Sequence, residues 1–128
     1  MAAQVASICE SDLLILLTDI AGLYTESPKK SKNAVHIPFI NEITEEIELM
    51  AGGPENDFSH GGMKTKIEAA NVTTSVGCNL IITDGQNRNP INDISKRKAT
   101  SLLASQSVKA ARKKSILNMK SQGEIVID

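Results

Sequence analysis

Tryptophan is absent from this chain, and Tyr24, Phe39 and Phe58 are its only aromatic residues. A core without ring stacking has to be aliphatic, built from Leu, Ile, Val, Met and Ala. Cysteine is almost as scarce. Cys9 and Cys78 stand far apart with no CxxC neighbour, which argues against a disulfide framework or a zinc site and fits two ordinarily buried thiols in a reducing cytoplasm. Neither sign of charge dominates: 14 Lys and Arg face 15 Asp and Glu. Nothing global therefore favours nucleic acid or a membrane surface. No apolar run approaches the length of a membrane span. The opening MAAQVASICES lacks the basic-then-apolar order of a secretory signal. Internal repeats and low-complexity tracts are also missing. At 128 residues the chain is expected to form one small domain, and to lie in the cytoplasm.

What is present is a set of short apolar segments separated by turn signals. Ala2, Val5, Ile8 and Cys9 share one helical face, so the first turns predict a short amphipathic helix, broken by Ser11 and Asp12. Leu13–Leu17 is apolar on both faces, the pattern of a strand covered on both sides in a parallel sheet. The polar, basic stretch Ser27–Asn33 reads as a solvated loop, and Val35–Ile40 as a short extended segment. Thr44 can cap a helix carrying Glu45 and Glu46 in its first turn, with Ile47, Met50 and Ala51 as its buried stripe. Gly52-Gly53-Pro54 ends it, and Pro54–His60 is expected to be a loop. Gly61-Gly62 opens a second helix with Met63, Ile67 and Ala70 on one face, and Gly77 closes it. Asn79–Thr83 reads as a second buried strand and Pro90–Lys96 as a short helix. In the tail, SLLAS, KSILNM and EIVID alternate like antiparallel strands, with a turn at Ser121-Gln122-Gly123. The order strand–helix–helix–strand–helix predicts an α/β layered sheet.

Two constellations could carry chemistry. In open α/β sheets ligands sit beyond the carboxyl ends of the strands, where Thr18 and Asp19 fall. A hydroxyl there can donate or accept; a carboxylate can accept from a sugar or base, or orient a metal-bound water. On residue chemistry alone the pair could equally do no more than terminate a strand and cap a turn. The second is Ser59-His60-Gly61-Gly62-Met63-Lys64-Thr65-Lys66. Paired glycines before a helix let backbone N–H groups approach an anion, and Lys66 adds a full charge. The spacing is not that of a Walker A loop, and a plain helix entry with a solvated lysine is the alternative. His36 and His60 read as solvated loop histidines, and the basic runs Lys96–Lys98 and Arg112–Lys114 as solvated faces. No Ser/His/Asp or Cys/His set suggests nucleophilic catalysis, and no cluster has metal-ligand spacing.

Taken in order, "SDLLILLTDIAGLYTESPKK", "MAGGPEN" and "GGMKTKIEAANVTTSVGCNLIITDG", with "ARKKSILNMKSQGEIVID" near the end, resemble the C-terminal half of the kinase domain of the glutamate 5-kinases, within the amino acid kinase family. The resemblance implies a three-layer α/β/α fold in which residues 1–128 form a single partial domain, its nucleotide-binding half, with a mostly parallel sheet and no PUA domain. It implies transfer of the γ-phosphate of ATP, taken with Mg2+, to the side-chain carboxylate of L-glutamate, the first step of proline biosynthesis. Thr18, Asp19 and the run His60, Gly61, Gly62, Met63, Lys64, Thr65 and Lys66 are then expected to contact ATP, with Lys66 reaching the phosphates as charge builds during transfer. Glutamate would be bound only with a complementary N-terminal half, and an exposed sheet edge would favour a homo-oligomer. The alternative is a non-catalytic remnant that at most binds nucleotide or a partner chain. Ser59, His60, Ala99 and Ser115 depart from the residues usual in that family.

Overall fold

The computed structural model describes residues 1–52 and 62–124. In chain order the elements are α1 (Ala2–Ile8), β1 (Leu13–Thr18), β2 (Leu23–Tyr24), β3 (His36–Ile37), β4 (Phe39–Ile40), α2 (Glu45–Gly52), α3 (Met63–Ser75), β5 (Asn79–Asp84), α4 (Pro90–Ser95), β6 (Thr100–Leu102) and α5 (Gln106–Glu124). Four strands form one sheet in the order β1-β5-β6-β4, and β2 and β3 form a separate two-stranded sheet. In the larger sheet β1 runs parallel to β5 and β4 parallel to β6, whereas β5 and β6 are antiparallel. The expected α/β/α arrangement with a mostly parallel sheet is therefore the one observed.

The apolar strand runs fold as they do because alternate residues serve opposite faces. On one face Leu80 and Ile82 of β5, Leu102 of β6 and Ile40 of β4 pack with Leu23, Ala51, Ile67 and Ala70, and Leu14 and Leu16 of β1 join at the margin. Each fully buried Leu or Ile there contributes about 1.5–3 kcal/mol. Helix α3 supplies Ile67, Ala70 and Thr73 to this core. Helix α2 supplies Ala51, with Ile47 and Met50 partly buried beside it. The predicted cap is in place: the Ile47 amide donates to Thr44 Oγ1 at 3.4 Å and the Glu48 amide to the Thr44 carbonyl at 3.1 Å. On the opposite face Ile81 and Thr83 are buried as well, so β5 is the doubly covered strand.

Five expectations are corrected. Strand β1 lies at the edge of the described sheet, and Leu13 and Leu17 are 45% and 57% exposed, so it is not covered on both sides. A continuous apolar run does not distinguish an edge strand from a central one. Helix α1 exists, but it buries Ala3 and Ala6 and leaves Val5, Ile8 and Cys9 exposed. It packs against α3, and small side chains allow two helices to approach closely. In the tail, SLLAS contains β6, but KSILNM and the Ser121–Gly123 turn lie inside α5, which is helical through Glu124. The long polar and basic stretch around those apolar residues suits a helix with one anchored side. Arg112 of α5 provides the anchor: its guanidinium donates to the carbonyls of Ser11 and Glu10 and pairs with Asp12 at 3.4 Å, so it is not a solvated cation. Finally, His36 is half-buried rather than solvated. The expected loop Pro54–His60 lies wholly outside the described residues, and so do the last four residues of EIVID.

Candidate functional site

The carboxyl ends of β1 and β5 lie level, because the two strands pair in register from Leu13 opposite Asn79 to Thr18 opposite Asp84. The Gly85 amide then donates to the Thr18 carbonyl at 2.8 Å, closing the ladder where the chain turns away. Thr18 spends its hydroxyl locally: Oγ1 donates to the Ile20 carbonyl at 2.8 Å and accepts from the Ile20 amide at 3.1 Å. This small ring is a hydroxyl turn of the kind Ser and Thr form with their own backbone. It sends the chain out of the sheet at Asp19. Asp84 is shaped the same way, its Oδ1 accepting from the Gln86 amide at 2.8 Å.

Beyond these strand ends opens a cleft of about 470 Å³, within the range of small-molecule sites. Asp19, Gly22, Tyr24, Met50, Met63, Lys66 and Asp84 are among its lining residues. One wall is the start of α3. Gly62 is its N-cap in an extended conformation and no side chain caps it, so the positive end of the helix faces the cleft side by backbone alone. Lys66, four residues in, is half-buried there. The floor is Met50 and Ala51 of α2. The other wall is β2 and the start of the loop that joins it to β3, in which the Ser27 carbonyl accepts the Lys30 and Ser31 amides at 3.1 and 2.9 Å. Ser27, Pro28 and Lys29 border the cleft from this turn, which is therefore not merely a solvated loop. The Ser27 hydroxyl is buried with no hydrogen-bond partner among the described residues.

Asp19 and Lys66, 47 residues apart in sequence, thus border the same cleft, as do Gly62 and Met63. The other expected residues are placed differently. Thr18 is tied into its turn, as the plain strand-terminating reading has it. Lys64 and Thr65 are exposed, and Lys64 lies against Gly52. His60 and Gly61 lie outside the described residues. Asp84, at the end of β5, also borders the cleft, which was not anticipated from the sequence. The rule that picked out Asp19 at the end of β1 applies equally to the end of β5, and that signal was available. Among the described residues no group of three or more His, Cys, Asp or Glu could hold a metal ion, and no helix is long and apolar enough to cross a membrane.

The hairpin wall is held from behind. The Tyr24 and His36 rings meet edge to face at 5.1 Å. Burial lowers the His36 pKa below its usual 6.5, opposed by a hydrogen bond to the Ala21 backbone. Thr100, fully buried on β6, donates to the Ile37 carbonyl at 2.7 Å and accepts from the Leu23 amide at 2.8 Å.

The family model described as the amino acid kinase family matches residues 1–84. A glutamate 5-kinase of Paracoccus denitrificans is 43% identical over 129 aligned residues, covering 100% of this chain and 35% of that protein. A glutamate 5-kinase of Allorhizobium ampelinum is 50% identical over 104 residues, covering 81% of this chain and 26% of that protein. The chain thus spans about a third or less of the curated relatives it matches. Among solved structures, UMP kinase from Ureaplasma parvum aligns with a TM-score of 0.55 at 19% identity, covering 79% of this chain and 39% of the other. An isopentenyl phosphate kinase aligns with a TM-score of 0.54 at 22% identity, covering 79% of this chain and 37% of the other. At those identities the two structures speak to the fold.

Proposed function

The chain belongs to the amino acid kinase family, and from that premise we propose that it supplies the ATP-binding half of a glutamate 5-kinase, an enzyme that phosphorylates the side-chain carboxylate of L-glutamate. The observation that carries this reading is the meeting of Asp19, from the end of β1, with Gly62, Met63 and Lys66, from the start of α3, around one cleft. Parallel strand ends beside a helix N-terminus form the general setting in which nucleotides are held.

The lining suits such a ligand. Lys66 and Lys29 bring cations that can meet a polyphosphate, while Met50, Met63 and Ile20 offer apolar surface to a base. Asp19 can accept from a sugar hydroxyl or a base amino group. Mg2+ typically binds through phosphate oxygens, waters and one or two carboxylates. Asp19 and Asp84 are the two carboxylates at the paired strand ends, and they fit that modest requirement. When bound, ATP with its metal supplies the transferable phosphoryl group and neutralises part of its charge.

What this chain's residues do is positional and electrostatic. Lys66 places positive charge where negative charge grows on the phosphates, an effect strengthened by its partly desolvated position. The helix start adds oriented N–H groups. The hairpin wall excludes water from one side of the cleft. Holding the acceptor carboxylate in line is worth roughly 7–11 kcal/mol in such reactions. None of the cleft residues supplies an obvious glutamate site, so acceptor binding is assigned to a complementary half. Cytoplasmic location follows from the same reading.

Titration calorimetry with ATP, ADP and adenosine tests it. ATP and ADP should each give weak, saturable heat, and adenosine less. The absence of heat from all three would favour the alternative, a fold that retains the family's shape with a dead site. Glutamyl phosphate formed by this chain alone would overturn the half-enzyme reading in the other direction.

A further inference from the structure

Thr100 has no place in either motif that marks the cleft, yet its side chain bridges both strands of the wall. Leu23 and Ile37 are partners in the β2–β3 register. The Thr100 hydroxyl accepts the amide of the first at 2.8 Å and donates to the carbonyl of the second at 2.7 Å. It also lies 3.4 Å from His36 Nε2. A hairpin with two residues in each strand is too short to hold itself. Its only sheet partner among the described residues is itself. One buried hydroxyl on the main sheet therefore does for this hairpin what a third strand would do.

The approach is close enough to dictate the facing residue. Gly22 has φ +151°, and a Cβ there would overlap the Thr100 hydroxyl and lie 3.0 Å from His36 Nε2. Gly22, Leu23 and Tyr24 border the cleft on their other side, and Asp19 sits three residues earlier on the same turn. Thr100 itself does not reach the cleft.

We propose that Thr100 is a positioning residue for phosphate-bearing nucleotide: through the Leu23 amide and the Ile37 carbonyl it holds the Asp19–Tyr24 wall in its ligand-meeting position. The inference rests on the reading of the cleft as a nucleotide site.

The test compares two conservative variants of the full chain. Thr100→Val keeps the shape and loses the hydroxyl; Thr100→Ser keeps the hydroxyl and loses a methyl group. If the hydroxyl positions the wall, Thr100→Val binds ATP about tenfold more weakly, the net effect of one to two hydrogen bonds, and its Leu23 amide exchanges faster with solvent. Thr100→Ser should stay near the parent in both respects. Equal ATP binding by Thr100→Val and the parent would overturn the inference, as would a Thr100→Ser variant impaired as much as Thr100→Val, which would mean that packing alone matters. Should Thr100→Val fail to fold, Thr100→Cys replaces it, since a thiol is a poor partner for both groups, and the same ranking against Thr100→Ser decides. Failure of the cleft reading looks different: the parent chain then gives no heat with ATP.

Discussion

The Leu23 amide hydrogen-bonds Thr100 Oγ1 at 2.8 Å across 77 residues of sequence, and both groups are buried. Gly22, immediately before, is the residue that lets this contact form. At φ +151° it occupies a conformation that side chains rarely adopt, and a Cβ would run into the threonine. Gly22→Ala should therefore lose at least about 2 kcal/mol of stability through backbone strain and overpacking together. Urea unfolding checks it; a variant as stable as the parent would mean that the turn relaxes at no cost.

Ile82 is fully buried in the middle of β5, among Leu80, Leu102 and the α2 and α3 side chains. Ile82→Ala should cost about 2–5 kcal/mol, the usual range for emptying a core aliphatic site. Leu17→Ala, on the exposed side of edge strand β1, should cost far less. Paired unfolding curves test the contrast, and equal losses would contradict the assignment of centre and edge.

Lys66→Ala should weaken ATP binding by about 1.5–3 kcal/mol, the worth of a hydrogen bond to a charged group. Adenosine, which carries no phosphate, should bind the variant and the parent alike. Calorimetry on the pair is the check. A loss of the same size for adenosine would move Lys66 from the phosphates to the nucleoside.

His36 gives a pH dependence whose sign follows from its environment. Burial holds its folded pKa below 6.5, so between that folded value and 6.5 the unfolded chain binds more protons than the folded one. Its contribution to stability is then complete above pH 6.5 and is lost as pH falls through the folded value. Unfolding midpoints measured from about pH 8 down to about pH 5 should decline more steeply for the parent than for His36→Gln. Parallel curves would show that the ring does not titrate against folding.

Which of these features could be read in the amino acids alone depends on the range of the interaction. β5 was legible because Leu80 to Thr83 is apolar, β-branched and bounded by Asn79 and Asp84. α3 was legible because Ile67 and Ala70 repeat at helical spacing behind Gly62. That Asp19 and Lys66 would border one cleft was legible because each belongs to a local motif. Thr100 was not, because its meaning lies wholly in Leu23 and Ile37, more than sixty residues away. Nor was the burial of His36, which depends on Tyr24 across the hairpin. In α1 the larger side chains of Val5 and Ile8 suggested the buried face, but close packing on α3 selected Ala3 and Ala6. The segment around Ile116 and Leu117 alternated too briefly to separate a strand from one turn of helix, and only the length of α5 distinguishes them.

The paired register of β1 and β5 also makes the site a measuring device for length. Thr18 stands opposite Asp84 only because five successive pairs precede them without a bulge. One residue added to either strand would advance its end by about 3.3 Å and send every later side chain to the other face of the sheet. The ends of β1 and β5 would no longer stand level, and Asp19 would shift relative to Asp84, although no residue bordering the cleft had been replaced. Change in this region should thus be tolerated as substitution along the strands and as insertion between Ser31 and Ala34, beyond the part of the loop that borders the cleft, but not as insertion or deletion within Leu13–Thr18 or Asn79–Asp84.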